Sequence, residues 1–373
     1  MKRINNLYDD MCTYGNLKDV YNVIKCKCKN YRSLVEFDVC KNINLYNILV
    51  KLYLREYDFQ RYHIFLISEP KYRLIMSECI EDKIVNHLIS KYILLPALEH
   101  KLINTNVATR KNLGSGAALN YLKSYLNKML LKSDEIYILK IDIKKYFYNI
   151  DHGILREMLC NDIKDEDALK IIFKVLDTTN KFYINKYIER VKLNEIKRVK
   201  NLKISDKEKK LKIKEIVSIP LYKNGKGLSI GNMTSQLLAV YYLNHLDHYI
   251  KEELKCKYYI RYMDDLLIID YSKERLMNVL NKIKLKLSFY KLEINSKSQI
   301  YSLKHGFNFL GYSYKFIDNR LCISVYNQTK RKIKHNLKLL YKTNLAKYYR
   351  SLASYNGFFL RCNVDNCKNF VII

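Results

Sequence analysis

The spacing of apolar positions changes several times along the chain, and each change marks an element. Early on, Leu45, Ile48, Leu49, Leu52 and Leu54 fall three and four residues apart, which predicts a helix face within an N-terminal helical extension over residues 1–60. The segment from Ile64 to Met76 reads as a basic β-hairpin with Glu69 and Pro70 in its turn. A helix is expected from Glu81 to Leu98, and a glycine-bearing loop from Ala108 through Gly114 and Gly116 opens another. The apolar run Ile136 to Ile143 predicts a buried strand. Residues 186–215 are so rich in charge that they read as a solvated helical insertion, with direct RNA contact as the alternative. A loop from Gly227 to Ser235 precedes a helix marked by Ala239, Leu243, Leu246, Ile250 and Leu254. Two short β-rich runs between Tyr258 and Asp270 predict a hairpin, and an amphipathic helix follows from Glu274 to Tyr290. Phe307 to Phe316 and Arg320 to Val325 read as strands, and the basic segment from Gln328 onward as helical.

The hairpin over Tyr258–Asp270 carries two adjacent acids, Asp264 and Asp265, at its turn. Neighbouring carboxylates repel, and they share a site when divalent cations or a basic partner offset the charge. Asp142 closes the upstream buried strand. Side by side, the two strands would bring Asp142, Asp264 and Asp265 to one point, as ligands for two Mg²⁺ ions about 4 Å apart that drive in-line phosphoryl transfer. The Asp-Asp pair alone reads first as a solvated turn, a reading that the apolar flanks, Tyr262 and the separate strand ending in Asp142 weigh against.

Composition narrows the partners. The chain has 373 residues, 49% of them hydrophobic, which supports one large domain or a few subdomains with real cores. It holds no apolar run of membrane-spanning length and no signal-peptide core near Met1, so no membrane association and a cytoplasmic location are expected. The 67 basic against 37 acidic residues leave a net charge of +30, which calls for a polyanionic partner, nucleic acid first. Charge alone does not separate nucleic acid from an anionic membrane surface. The ten cysteines include no Cys-x-x-Cys pair and read as reduced thiols, most of them buried.

Taken in order from about Ile64 to Asn363, the motifs resemble those of bacterial reverse transcriptases of the group II intron-like lineage. The resemblance implies an α+β right-hand polymerase fold: fingers at 61–135, a palm of antiparallel sheet plus helices at 136–305, a primer-grip hairpin at 306–325, and a short basic helical thumb at 326–373. It implies that Lys71 and Arg73 grip the triphosphate of the incoming nucleotide. Arg110, Lys111 and Gly114 would lie in a fingers loop contacting the template. Asp142, Asp264 and Asp265 would be the catalytic metal ligands, with Ile143 lending a backbone carbonyl. Phe147 would sit under the sugar 2′ position and reject ribonucleotides, and Lys297 would approach the leaving pyrophosphate. Phe309, Leu310 and Gly311 would grip the primer, and Lys330, Arg331 and Lys334 would track the duplex.

The second palm motif runs from Gly227 to Gln236 and includes Ile230, Gly231 and Gln236, which would bind the dNTP. Its pattern Ile-Gly-x-x-x-Ser-Gln resembles the variant of diversity-generating retroelements, whose enzymes copy a template RNA carelessly at adenines. Ser229 stands where proline is common, and Val240 where asparagine is common. The implied activity is RNA-directed DNA synthesis with two Mg²⁺ ions, or Mn²⁺ in their place. The implied partners are template RNA, the cDNA/RNA duplex and dNTPs, with a noncoding RNA and a basic accessory protein as further expectations. An antiphage defence reverse transcriptase, using a dedicated noncoding RNA or untemplated synthesis, is the alternative role. A non-catalytic RNA-binding protein on a polymerase fold is the alternative class.

Overall fold

The computed structural model of the protein describes residues 6–27, 32–69 and 71–363. Among these, helices and nine strands make an α+β fold with three antiparallel sheets. Strands β1 (His63–Ile67) and β2 (Arg73–Ser77) form a two-stranded ribbon. Strands β3 (Tyr137–Asp142), β4 (Tyr258–Tyr262), β5 (Asp265–Asp270) and β6 (Gln299–Ser302) form a sheet in the order β4-β5-β3-β6. Strands β7 (Phe307–Phe309), β8 (Tyr312–Ile317) and β9 (Arg320–Val325) form the third. Pro70, expected in the turn of the first ribbon, lies outside the described residues, as do Cys28 and Cys367.

Two compact units interleave along the chain. The first takes the chain up to Ile103, then Lys144–Asp247 and Leu287–Glu293. Here one face of the ribbon is buried: Ile64, Leu74 and Met76 pack against Ile184, Ile188, Val199 and Ile216. The last four belong to helices Tyr183–Lys200 and Asp206–Val217, so residues 186–215 are two helices joined by a link at 201–205, and not a solvated insertion throughout. Their aliphatic side chains recur at helical spacing beneath the charges. A two-stranded ribbon is marginal alone, and each aliphatic side chain buried there contributes about 1.5–3 kcal/mol. The helical pair is therefore the layer that keeps the ribbon folded.

The second unit takes Asn104–Ile143, His248–Lys286 and the chain from Ile294 on. Ile138, Ile260, Leu267 and Ile269 of its four-stranded sheet share a core with Leu119, Leu122 and Leu126 of helix Ser115–Leu130. The same core takes in Tyr312, Tyr314 and Ile323 of the third sheet, and Ile333 and Leu337 of helix Asn327–Thr343.

Three further expectations are corrected. The helix expected from Glu81 to Leu98 is an α-helix over Ile80–Leu88, a π-helical turn over Ile89–Leu94 and a short α-helix over Leu95–Leu98. Pro96 has no N–H to give to the preceding turn, and widening the ladder accommodates that loss. The helix expected through Leu254 likewise breaks into Met233–Tyr242, Asn244–His248 and a π-helical turn Tyr249–Glu253. Of the eight free cysteines described, only Cys256 and Cys362 are buried; Cys26, Cys40 and Cys160 are exposed, on outward faces of helices or next to them.

Candidate active site

The second unit holds the acids. β3 and β5 are antiparallel, and their register pairs Asp142 with Asp265, Lys140 with Leu267 and Ile138 with Ile269. Side chains alternate across a strand, so these six share one face, which runs from apolar at Ile138 to acidic at Asp142. Tyr262 pairs with Asp265, leaving Met263 and Asp264 as a two-residue hairpin turn. Met263 has φ +55°, a left-handed conformation that costs a non-glycine residue of order 1 kcal/mol or more.

Neighbouring groups hold the acids in place. Asn295 donates its backbone N–H to the Asp142 carbonyl at 2.7 Å and its Nδ2 to Asp142 Oδ2 at 2.8 Å. Ser298 Oγ accepts from the Asp142 N–H at 3.0 Å. Lys140 Nζ stands 4.0 Å from Asp265 Oδ1 and donates to the Asn308 carbonyl at 3.3 Å. Burial raises the Asp265 carboxyl above its ordinary pKa and the Asp142 charge adds to this, while Lys140 opposes it. The carboxylate pair is therefore short of positive charge. Hard carboxylate oxygens are the donors that Mg²⁺ or Mn²⁺ takes, so the donor set fits a divalent cation. Among the described residues no three His, Cys, Asp or Glu side chains are drawn together as a closed metal cage. The sheet pairs Asp142 with Asp265, and Asp264 occupies the turn beside them.

Beneath the turn lies Arg261, which sequence reasoning passed over. It pairs with Leu266 on the opposite face of the sheet and is wholly buried. Its Nη1 donates to the Met263 carbonyl at 3.0 Å. Its own backbone is gripped by the segment before Ala108: Arg261 N–H donates to the Thr105 carbonyl at 3.0 Å, and Val107 N–H donates to the Arg261 carbonyl at 3.2 Å. An arginine inside an otherwise apolar strand was the visible signal.

The other residues expected in this unit are dispersed. Ile143 is buried and forms a bridge with Ile294. Lys297 is exposed two residues past Asn295, and its N–H donates to Asn295 Oδ1 at 3.3 Å. Arg110 turns back on its own loop, donating to the Asn106 carbonyl at 3.1 Å. Lys111 is exposed, and Gly114, at φ +118°, precedes helix Ser115–Leu130. Leu310 and Gly311, at φ +46° and +87°, make the tight turn between β7 and β8. Phe309 is buried, and strand alternation turns its ring into the core. Lys330 is half-buried, while Arg331 and Lys334 are exposed, on the helix whose Ile333 and Leu337 face inward.

The first unit gathers the remaining candidates around the Gly227–Gln236 loop. Met76 N–H of β2 donates to the Ile230 carbonyl at 2.8 Å. A Cβ on Gly231, at φ +146°, would lie 2.5 Å from the Met76 carbonyl oxygen, so only glycine lets loop and strand meet. The Phe147 carbonyl accepts from Leu228 N–H at 2.7 Å. The Phe147 ring is half-exposed, whereas its neighbour Tyr146 is buried with its hydroxyl on the Ala239 carbonyl. Lys71 and Arg73 are exposed, and Arg73 pairs with Ile67 on the ribbon face away from the helical pair. Ile230 is half-buried and Gln236 exposed.

A buried polar network that the sequence did not announce anchors this loop. Asn232 Nδ2 donates to the Tyr62 hydroxyl at 2.7 Å, and the Ser229 and Ser235 hydroxyls meet at 2.9 Å. Thr234 Oγ1 donates to Asn86 Oδ1 at 2.6 Å, and Asn86 Nδ2 to Glu78 Oε2 at 2.6 Å. Although Glu78 as a residue keeps some exposure, burial of its carboxyl pushes it up to about 8.

Residues 68–314 match the sequence model of the reverse transcriptase (RNA-dependent DNA polymerase) family. The chain belongs to this family. No curated protein sequence matches it significantly. Among solved structures, this reverse transcriptase chain is similar to apo telomerase from Candida tropicalis truncated of its C-terminal domain, at 17% identity and a TM-score of 0.42, covering 70% of this chain and 55% of that one. It is also similar to apo telomerase from Candida tropicalis at 15% identity and a TM-score of 0.43, covering 71% and 48%. Telomerase from Candida albicans with a fragment of telomeric RNA matches at 13% and 0.43, covering 82% and 54%. The chain thus spans about half the length of these structures. Reverse transcriptases use divalent metals. No helix among the described residues is long and apolar enough to cross a membrane.

Proposed function

We propose that the protein copies an RNA template into DNA, with two Mg²⁺ ions held by Asp142, Asp264, Asp265 and the Ile143 carbonyl. The observation that carries this reading is the pairing of Asp142 with Asp265 across two antiparallel strands, with Asp264 in the adjoining turn. Bound divalent cations supply Lewis-acid activation of a primer 3′-hydroxyl and neutralise charge on the triphosphate. The chain's own residues supply the rest. Asn295 orients the Asp142 carboxylate, and Lys140 tempers the charge of Asp265 until a cation arrives. Lys71 and Arg73 serve the triphosphate as charge-assisted donors. Lys297 serves the leaving pyrophosphate. The loops at Arg110–Gly114 and Leu310–Gly311 and the cations Lys330, Arg331 and Lys334 serve template and primer.

Phe147 makes the product DNA by filling the space a ribose 2′-hydroxyl needs. Its half-exposed ring supports this role over that of a core aromatic. Phe147→Ala is expected to narrow the preference for dNTP over rNTP by about tenfold or more, the scale of discrimination that steric pockets provide. Single-nucleotide incorporation of both substrates measures it, and an unchanged ratio in an active variant would return the ring to a packing role.

For the biological role, the diversity-generating retroelement reading rests on Ile230. An isoleucine offers the nascent base pair only apolar contact, and such contact discriminates far less than hydrogen bonding does. Ile230→Gln is expected to lower misincorporation severalfold, most clearly opposite template adenine. Sequencing cDNA copied from a defined RNA by both proteins decides it. Equal and low error rates would move the assignment to a defence enzyme, and no metal-dependent incorporation by wild type would leave an RNA-binding protein.

A further inference from the structure

The helical pair Tyr183–Lys200 and Asp206–Val217 is more than a brace for the β1–β2 ribbon. We infer that its outer face binds the phosphate backbone of RNA lying outside the stretch being copied. This rests on the reading of the protein as an RNA-directed enzyme, and extends it to a second RNA surface.

The pair is two-sided. Ile184, Ile188, Val199 and Ile216 are buried against the ribbon. On the first helix the opposite stripe consists of Lys186, Arg190, Leu193, Lys197 and Lys200, all exposed and spaced three or four residues apart. On the second helix Lys207, Leu211 and Lys214 do the same. Residues 186–215 hold twelve basic and five acidic side chains, an excess of seven. Glu195 is half-buried and accepts from the Tyr72 hydroxyl at 3.0 Å, while Glu215, though exposed, accepts from the Tyr72 N–H at 3.5 Å. Glu189, Asp206 and Glu208 are exposed as well, beside the cationic stripes. Solubility needs mixed charge, not a sorted face. A row of cations over two helices matches a polyphosphate, whose charges repeat along a line.

The side on which this face lies separates it from nucleotide binding. Ile64, Leu74 and Met76 turn toward the helices, so by strand alternation Arg73 turns away from them. The outer cations therefore stand a full helix diameter, about 10–12 Å, beyond the back of the ribbon. A strand held on the Arg73 face does not reach them, and RNA bound there is a separate segment.

The test is a quadruple alanine variant at Lys197, Lys200, Lys207 and Lys214, all exposed, with its melting temperature compared with wild type. The probe is an unrelated structured RNA transcript, since phosphate binding is independent of sequence. Affinity is expected to fall at least tenfold near physiological salt, and the log–log salt slope to become shallower by roughly 0.7–0.9 for each phosphate that is no longer neutralised. Extension of a short RNA template with a DNA primer is expected to stay within about twofold of wild type, because none of the four lysines lies on the Arg73 face. Unchanged affinity and slope would reduce the helices to a brace. Equal losses on transcript and short duplex would place the cations in the copying cleft, which also overturns the inference. So would binding to phosphatidylserine vesicles that the variant loses while its RNA binding stays intact. If wild type incorporates no nucleotide, the proposed activity fails while the RNA salt slope remains readable.

Discussion

Asp265→Asn is expected to lower Mg²⁺-dependent dNTP incorporation by roughly a thousandfold or more, about 4 kcal/mol of transition-state stabilisation. The exchange keeps size and shape and removes the charge a cation needs. Folding should not suffer, because burial and the Asp142 charge already oppose ionisation of this carboxyl. The Lys140 ammonium keeps its bond to the Asn308 carbonyl. The variant should melt no earlier than wild type and bind RNA equally well. Asp142→Asn should match it in activity, since the two residues are cross-strand partners in one sheet. Incorporation retained within tenfold in either variant would remove the pair from the reaction centre.

The second large effect concerns Arg261. Met263 holds a left-handed backbone conformation in the turn that carries Asp264, and the buried Arg261 side chain donates to its carbonyl. Arg261→Met keeps the apolar bulk and deletes the donor. Incorporation is expected to fall tenfold or more, since small misplacements of reacting groups cost that much. Met263→Gly should be nearly silent alone, because glycine takes positive φ at little cost. In the double variant, glycine should recover a large part of the lost rate, as the turn no longer needs to be held against strain. Steady-state incorporation by all four proteins, with melting curves, makes a double-mutant cycle. Additive losses in folded proteins would show that Arg261 does not act through the turn.

Much of this site was legible in the sequence because it depends on neighbours along the chain. A two-residue turn between two apolar runs predicts a hairpin, and the acids at Asp264 and Asp265 lie at its tip. The apolar positions between Ile136 and Ile143 predicted a buried strand, and β3 has Ile138, Leu139 and Ile141 inaccessible, with Lys140 and Asp142 half-buried. Gly231 was legible as a residue of a motif, though the reason for glycine, close approach to the Met76 carbonyl, was not. Phe309 was legible as a residue of a motif, though its burial in the core was not.

Residues 186–215 mark the boundary between the two sources. Their composition established helices and positive charge, and nothing local said that Ile184, Ile188, Val199 and Ile216 have a partner more than a hundred residues upstream. The cross-strand pairing of Asp142 with Asp265, the Arg261 bond under the turn, and the Tyr62–Asn232 and Asn86–Thr234 bonds are of the same kind. The sequence by itself determined the elements, the family motifs and the acids, because propensity, period and turn chemistry act over a few residues. The tertiary structure alone decided which acids face each other, what holds their turn, and which face of the cationic helices is left to solvent. Those outcomes depend on register and on burial against distant segments, where one residue of slip would turn every side chain of a strand to the other face.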